Sequence, residues 1–418
     1  MNTYVIIARH LGTISGEKIY SYNKMRYLLS TGWRVVFLTG KRETAPFEED
    51  PNYSHYVYPA LTYAPDCYTE REIQKTVESI AKKLSETNGD KCIIETDAAN
   101  RAAWGELIAK RVGAKHLVFL LQETHHYDEE TRKFLRFKYD RHELAGISIA
   151  SIGKILADEQ IERRDDTRFL AFSQNCIEDC EDLISPRLPE DASYTFGSIG
   201  RLDKRCVPAI LNAFKEYANM HPEGTYNVVL IGGAVEKAIY RKSLSELKKC
   251  TNVHVVVTGY LYPIPLSLIR NIDLFVSTAG SSTSSYRFHR PTVRVHPITG
   301  EPCGIVGLDD LNGRTMYDVM PDTTICECME RALKNADKIE YVYNGYDDYY
   351  ERMKTEFDRQ LKIADIPCRV EYYDEMQLMK IKTTRIRGNK LHQIVGHLIG
   401  AKGLNMFIAL CKTISGNF

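Results

Sequence analysis

From residue 376 to residue 418 the chain has no aspartate and no glutamate, while Lys380, Lys382, Arg385, Arg387, Lys390, Lys402 and Lys412 supply seven positive charges. The whole chain is balanced at 55 basic and 55 acidic side chains, so the residues before 376 hold 48 basic against 55 acidic and are net acidic. An acid-free tail on a net-acidic body implies an anionic partner for the tail, such as an anionic membrane surface. The overall charge of zero lacks the broad basic footprint of a nucleic-acid binder. No uninterrupted apolar run approaches the roughly 18 residues that cross a bilayer. The opening "MNTYVIIARH" lacks the basic region and small-residue cleavage site of a secretion signal. A cytoplasmic protein is expected, with a peripheral place on the inner face of the membrane if the tail meets lipid. Paired CxxC spacings are also absent. The eleven cysteines are scattered and odd in number, with Cys176 and Cys180 at i and i+4 lacking a second metal-ligand pair, so they read as ordinary thiols.

What is present is a repeated alternation. "TYVIIA" is a buried-type strand, "RHLGTISGEK" a glycine-bearing loop, and "TGWRVVFLTG" the end of a helix and a second strand. Strand, glycine loop, helix, strand is the βαβ unit of a parallel sheet. The alternation continues through a helix at 70–86, a strand at 92–95, a helix at 101–112 and a strand at 116–121. An irregular polar region "QETHHYDEETRKF", helical segments near 141–160 and a last strand "TRFLAF" complete this half. Pro186 and Pro189 interrupt the pattern and mark a boundary near 185–192. The pattern then restarts with strands "YTFGSI", "YNVVLIGG", "NVHVVVTG", "DLFVST" and "TVRVH". Between them lie helices at 207–221, 235–249 and near 264–271 and a Ser-rich helix start. Near-continuous apolar strands indicate a sheet covered on both faces. Three segments follow: 1–188 as a first doubly wound domain, 189–338 as a second, and 339–418 as a helical extension packing on the first domain or on membrane.

Three turns of the second half fall at the carboxyl ends of strands, where open α/β sheets bind ligands. They are Gly200-Arg201 with Lys204 and Arg205, then Gly232-Gly233, then Gly280 with the hydroxyl run Ser281, Ser282, Thr283, Ser284 and Ser285. Small residues, a helix N-terminus and an arginine fork suit a diphosphate. In the first half the strand ends offer Arg9, His10, Gly12 and Gly16, then Glu95 and Asp97, then Glu123, His125 and His126. A carboxylate or imidazole there could act as general base toward a hydroxyl. Glu95-x-Asp97 also has the shape of a Mg or Mn site, as in GT-A glycosyltransferases. A single such triplet leaves the second doubly wound half unexplained, so no metal is expected.

"GSIGRLDKR", "YNVVLIGGA", "NVHVVVTGYL" and "DLFVSTAGSSTSS...RPTV" together resemble, in order and spacing, the C-terminal domain of GT-B glycosyltransferases, most like family 4. "VIIARHLGTISGEKIYSYNKMRYLLSTGWRVVFLTG" looks like that group's opening. The resemblance covers about residues 2–337. It implies two Rossmann-like domains facing a central cleft, with a nucleoside diphosphate sugar of UDP or GDP type as donor and no separate cofactor. A glycan or lipid-linked glycan would be the acceptor, as in surface polysaccharide biosynthesis. It also implies that Arg201 binds the diphosphate, that the backbone at Tyr260 and Leu261 reads the base, and that the turn at 281–285 receives the phosphates. Asp97, His125 and Arg201 are then the catalytic candidates, with Gly12, Gly200 and Gly232-Gly233 lining the donor. Two departures stand out. The family's lysine position is Cys206, leaving Lys204 or Arg205 to carry that charge, and residues 277–290 contain no aspartate or glutamate where the family places an acidic pair. A non-catalytic binding or scaffold subunit and a sugar-nucleotide epimerase are the alternatives.

Overall fold

The computed structural model describes residues 1–8, 16–41, 47–86, 91–121, 127–158, 160–162, 164–173, 176–179, 187–234, 238–309, 318–342, 345–366, 371–382 and 389–415. The chain divides into two units, the first made of Met1–Gly12, Tyr20–Phe172 and Met353–Phe418 and the second of Thr13–Ile19 and Ser173–Arg352.

In the first unit, β1 (Thr3–Ile7), β2 (Arg34–Thr39), β3 (Tyr53–Val57), β4 (Cys92–Thr96), β5 (Lys115–Leu120) and β6 (Leu144–Gly146) form one sheet in the order β3-β2-β1-β4-β5-β6. Every pairing is parallel. This is the doubly wound order, with its switch point between β1 and β4. Helices α1 (Gly16–Ser30), α2 (Glu70–Ser85), α3 (Ala99–Val112), α4 (Glu129–Asp140) and α5 (Ile149–Leu156) alternate with the strands. β1 is buried at all five residues because helices cover both faces of the sheet.

The differences from the sequence reading have local causes. The polar stretch expected to be irregular is helical from Glu129, because the Asp128 carboxylate caps the helix by accepting from Thr131 N at 2.9 Å. Phe134, Leu135 and Tyr139 supply that helix's buried face. The helix expected near 141–160 is instead β6 followed by α5, whose start is fixed by a reciprocal Ser148/Ser151 capping box. "TRFLAF" contributes only an isolated bridge from Arg168 to Gly146. β3, with sequence YSHYV, is an edge strand, half exposed and without the apolar run that marks its neighbours.

The second unit repeats the plan. β8 (Tyr194–Ile199), β9 (Tyr226–Ile231), β10 (Val253–Gly259), β12 (Leu274–Ser277), β13 (Thr292–Val295) and β14 (Pro302–Ile305) are ordered β10-β9-β8-β12-β13-β14, with only β14 antiparallel. β7 (Ile177–Glu178) and β11 (Ile264–Pro265) form a separate two-stranded pair. The helix expected near 264–271 is therefore β11 followed by the short α8 (Leu266–Arg270). The other helices are α6 (Val207–Met220), α7 (Ala238–Leu247), α9 (Gly280–Arg287) and α10 (Ile325–Lys334). Phe196 on β8 is fully buried, stacked on Phe214 and Tyr226 and met edge-on by Tyr217.

The remaining helices are α11 (Gly345–Asp365), α12 (Glu375–Leu378) and α13 (Asn389–Ser415). α13 lies along the first unit. A side chain at Gly396 would meet the Cys67 carbonyl at 2.1 Å, Gln393 donates to Asp66 at 2.7 Å, and Asn405 donates to the Pro59 carbonyl at 3.1 Å. The helix kinks at Gly400, whose φ of 67° frees the Ala401 N–H to donate to Glu72 at 2.7 Å. Its stretch Lys390–Cys411 is long and apolar enough to cross a membrane by length and composition. No run of apolar residues signals this in the sequence, because histidine, glutamine, lysine and asparagine are interspersed.

Two predictions follow from this packing. Phe196→Ala removes the ring at the centre of an aromatic cluster and is expected to destabilise the second unit by about 3–5 kcal/mol, read as a lowered denaturant midpoint. Burial pushes the Asp66 carboxyl up to about 6, against about 3.9 in an unfolded chain. Between those values the folded state keeps a proton that the unfolded chain has released. This group's stabilisation is thus present below about pH 4 and lost as pH rises through about 6. Asp66→Asn should flatten that part of the Tm-against-pH curve, as thermal melts of both proteins would record.

Candidate functional site

The site in the second unit grows out of the way β8 and β12 part company. Their ladder ends at the pair Phe275 and Gly197, where a side chain at Gly197 would meet the Phe275 ring at 2.7 Å. β8 runs on to Ile199, whose N–H is taken by the Ser277 hydroxyl at 3.0 Å in place of a backbone partner. The two strands therefore open at their carboxyl ends, at the switch point of the sheet, which is where such folds place a ligand.

Residues from three turns meet around this opening. A Cβ at Gly200, where φ is +140°, would lie 3.5 Å from both Lys204 Nζ and Ser281 Oγ, so a cation and a hydroxyl from different turns flank the same backbone atom. The Gly200 carbonyl approaches Gly232 so closely that a Cβ there would sit 1.9 Å from its oxygen. The Tyr260 ring lies over Gly233, 2.7 Å from the corresponding position. Leu202 N donates to the Gly233 carbonyl at 2.9 Å and ties the first two turns together. Gly232 and Gly233 are thus required by contact, and Gly200 by its positive φ, since a Cβ there would meet only ordinary van der Waals neighbours.

Charge collects at the same place. Arg201 is exposed and pairs with Asp203 at 3.5 Å, and its field reaches both Lys204 and Tyr260. Burial lowers the Lys204 ammonium from its ordinary value, with Cys206 and Asp203 opposing and Arg201 adding to that shift. Two hydroxyls near these turns are left over. Thr278 Oγ1 and Tyr260 Oη are buried without a hydrogen-bond partner among the described residues, and Thr278 is 3% exposed. A buried hydroxyl left unmade costs about 1–3 kcal/mol, which a ligand supplying the bond would recover. Ala279, between Thr278 and α9, holds φ 48° and ψ −134°, a strained backbone for a non-glycine residue. Thr278, Ala279 and Ser277 carry no signal in the sequence, since only the geometry shows the orphaned hydroxyl, the strain and the bridge.

The hydroxyl run divides in two. Ser282 donates to the Ala279 carbonyl and accepts from Arg294, Ser284 donates to the Gly280 carbonyl, and Ser285 pairs with Thr292. These three are buried and engaged, whereas Ser281 and Thr283 are partly exposed. Arg205 is exposed, and Leu261 packs against the small apolar cluster around Ile264 and Leu268.

In the first unit, Asp97 follows β4 and is buried, held by Arg101 one helical turn on at 2.5 Å. Glu95 is 1% exposed and accepts from the Tyr4 and Tyr20 hydroxyls, with Lys24 at 3.7 Å. Gly12 and His125 lie outside the described residues, as do Arg9, His10, Glu123 and His126. Among the described residues no group of three or more His, Cys, Asp and Glu side chains has a metal-holding arrangement.

No protein-family model and no curated protein sequence matches this chain. Its fold does match solved structures. A glycosyltransferase from Rickettsia africae ESF-5 aligns over 94% of this chain and 98% of its own, with a TM-score of 0.56 at 11% identity. Sucrose-phosphate synthase from Thermosynechococcus elongatus aligns over 87% and 96%, with a TM-score of 0.52 at 14% identity. HepE from Anabaena, in complex with UDP and glucose, aligns over 87% and 97%, with a TM-score of 0.51 at 10% identity. The chain has the GT-B fold of two doubly wound domains, as the motif order implied.

Gly232→Ala places a methyl group against the Gly200 carbonyl and is expected to cost about 1–3 kcal/mol through overpacking. Gly224→Ala, where a Cβ meets the Tyr226 side chain away from these turns, is a control. Nucleotide titrations of both variants should show affinity lost for Gly232→Ala and kept for Gly224→Ala.

Proposed function

We propose that the chain is a glycosyltransferase that moves a sugar from a nucleoside diphosphate sugar of UDP or GDP type to a hydroxyl of a glycan or lipid-linked glycan, in surface polysaccharide assembly. The observation that carries this reading is the meeting of Lys204, Ser281 and Gly200 at the opened switch point, with Arg201 beside them. When the glycosidic bond to the donor breaks, negative charge develops on the departing diphosphate. Cations and hydroxyls already in position stabilise that charge without reorganising during the reaction. Arg201 offers a bidentate fork and Lys204 a compact charge. The orphaned hydroxyls of Thr278 and Tyr260 are donors for phosphate, ribose or base oxygens. The turn at Tyr260 and Leu261 is assigned to the base. The Anabaena structure's UDP and glucose support a donor of this class. On the acceptor side, Asp97 and His125 are assigned to the acceptor hydroxyl, Asp97 because it follows β4 at the switch point of its own sheet.

A second reading is favoured by one feature. Residues 277–290 contain no carboxylate, so a protein that binds nucleotide and never turns over is the alternative. Sugar transfer from a labelled donor to a glycan acceptor separates the two.

Calorimetric titration with UDP, GDP and ADP tests the donor site itself. One nucleotide is expected to bind at micromolar strength, and Arg201→Ala should weaken it by about 2 kcal/mol, roughly thirtyfold, the loss of one charge-assisted hydrogen bond. A folded protein that binds none of the three overturns the assignment.

A further inference from the structure

Among the described residues, the acid-free tail carries a run of exposed large apolar side chains. α13 turns one face to the first unit and leaves the other bare. Before the kink at Gly400, Leu391, Ile394 and Leu398 follow one another at i, i+3 and i+7 and are all exposed, Leu398 at 77%. After it, Met406 is 74% exposed and Leu410 is also exposed, one helical turn apart on the same side. Large apolar side chains repeating at helical spacing on an outer face are not the scattered exposure of an ordinary surface.

The charged side chains of this tail have one sign. Lys390 lies one position before Leu391 and Lys402 one turn before Met406, and both are exposed, as are Lys380 and Lys382. Asp66 and Glu72, two carboxylates that α13 meets, are on its inner side and are occupied by Gln393 and the Ala401 N–H. A second copy of the chain would set lysine against lysine around the same stripe. An anionic bilayer satisfies both the apolar face and the cations.

The stretch Lys390–Cys411 has the length and composition to span a bilayer, but it is bonded to the first unit on both sides of the kink. Gln393 to Asp66 and Gly396 against the Cys67 carbonyl hold the first arm, while Ala401 to Glu72 and Asn405 to the Pro59 carbonyl hold the second. Spanning would break all four. We infer that α13 lies in the plane of an anionic membrane surface as a kinked interfacial anchor. Leu391, Ile394, Leu398, Met406 and Leu410 enter the acyl boundary and Lys390 and Lys402 pair with lipid phosphates. The inference is independent of the donor site, and it gives a lipid-linked acceptor a reason to be within reach.

Flotation of the full chain with vesicles tests it, using phosphatidylcholine alone and phosphatidylcholine with about one third phosphatidylglycerol. Binding is expected only to the anionic vesicles and should be lost at about 1 M salt, where the screening length falls to about 3 Å. Lys390→Gln and Lys402→Gln should each weaken it about fivefold, and Leu398→Ser with Met406→Ser by at least tenfold. These side chains are exposed, so circular dichroism should show every variant folded, and nucleotide titration should be unchanged. No flotation, or flotation indifferent to lipid charge and to both sets of variants, overturns the inference. So does a dimer in sedimentation that Leu398→Ser dissociates in the absence of lipid binding, which would assign the face to a second copy. Retention of the protein by vesicles after carbonate extraction would indicate spanning and overturn the in-plane placement.

Discussion

The candidate site of the second unit depends on one close approach, that of the Gly200 carbonyl to Gly232. The oxygen stands 1.9 Å from where a side chain at Gly232 would begin, so two turns from neighbouring strands can be in contact only because one residue has no side chain. From that contact follow the tie between Leu202 and Gly233, the seat of Tyr260 over Gly233 and the placement of Lys204 beside Ser281. The parting of β8 and β12 completes the arrangement, since Ser277 satisfies a strand N–H that would otherwise be orphaned where the ladder stops.

The first unit is organised around a buried polar centre. Glu95 takes hydrogen bonds from two tyrosines, and Lys24, fully buried, sits against the rings of Tyr4, Phe119 and Phe357. Burial lowers the Lys24 ammonium from its ordinary value, with Glu95 the main opposing influence. Gln360, from the part of α11 that belongs to this unit, accepts from Lys24 at 2.6 Å and from Tyr20 at 3.1 Å, and donates to Glu356 at 2.9 Å. Removing one member of a buried charged set leaves the others uncompensated. The returning segment after Met353 is therefore part of the core of the first unit and not an appendage to it.

Much of this was legible in the residues. Apolar runs of four to six residues located nearly every central strand, because a strand covered on both faces has no polar side to break its run. β3 escaped for the converse reason, as an edge strand that is half wet. α4 escaped because its capping residue and first turn are polar, and its buried face begins only at Thr131 and Phe134. Among the site residues, Gly200, Gly232 and Gly233 were legible as glycines at strand ends. Thr278 and Ala279 were not, since nothing about a threonine and an alanine announces an unpaired hydroxyl or a strained dihedral.

The residues by themselves determined the doubly wound plan, the placement of glycines and cations at strand ends, and the one-signed charge of residues 376–418, because these depend on local periodicity and composition. Only the tertiary structure decided which hydroxyls of the run at 281–285 are engaged in the protein, that Glu95 belongs to a core, and that α13 keeps one apolar face outward. The hydroxyl run finds its partners locally, between Ala279 and Arg294, whereas the polar core around Glu95 and the seat of α13 include pairs more than three hundred residues apart, Lys24 with Gln360 and Gln393 with Asp66. A linear pattern carries no information about a hydrogen bond formed across that distance, since the bond is set by where the sheets bring the two ends.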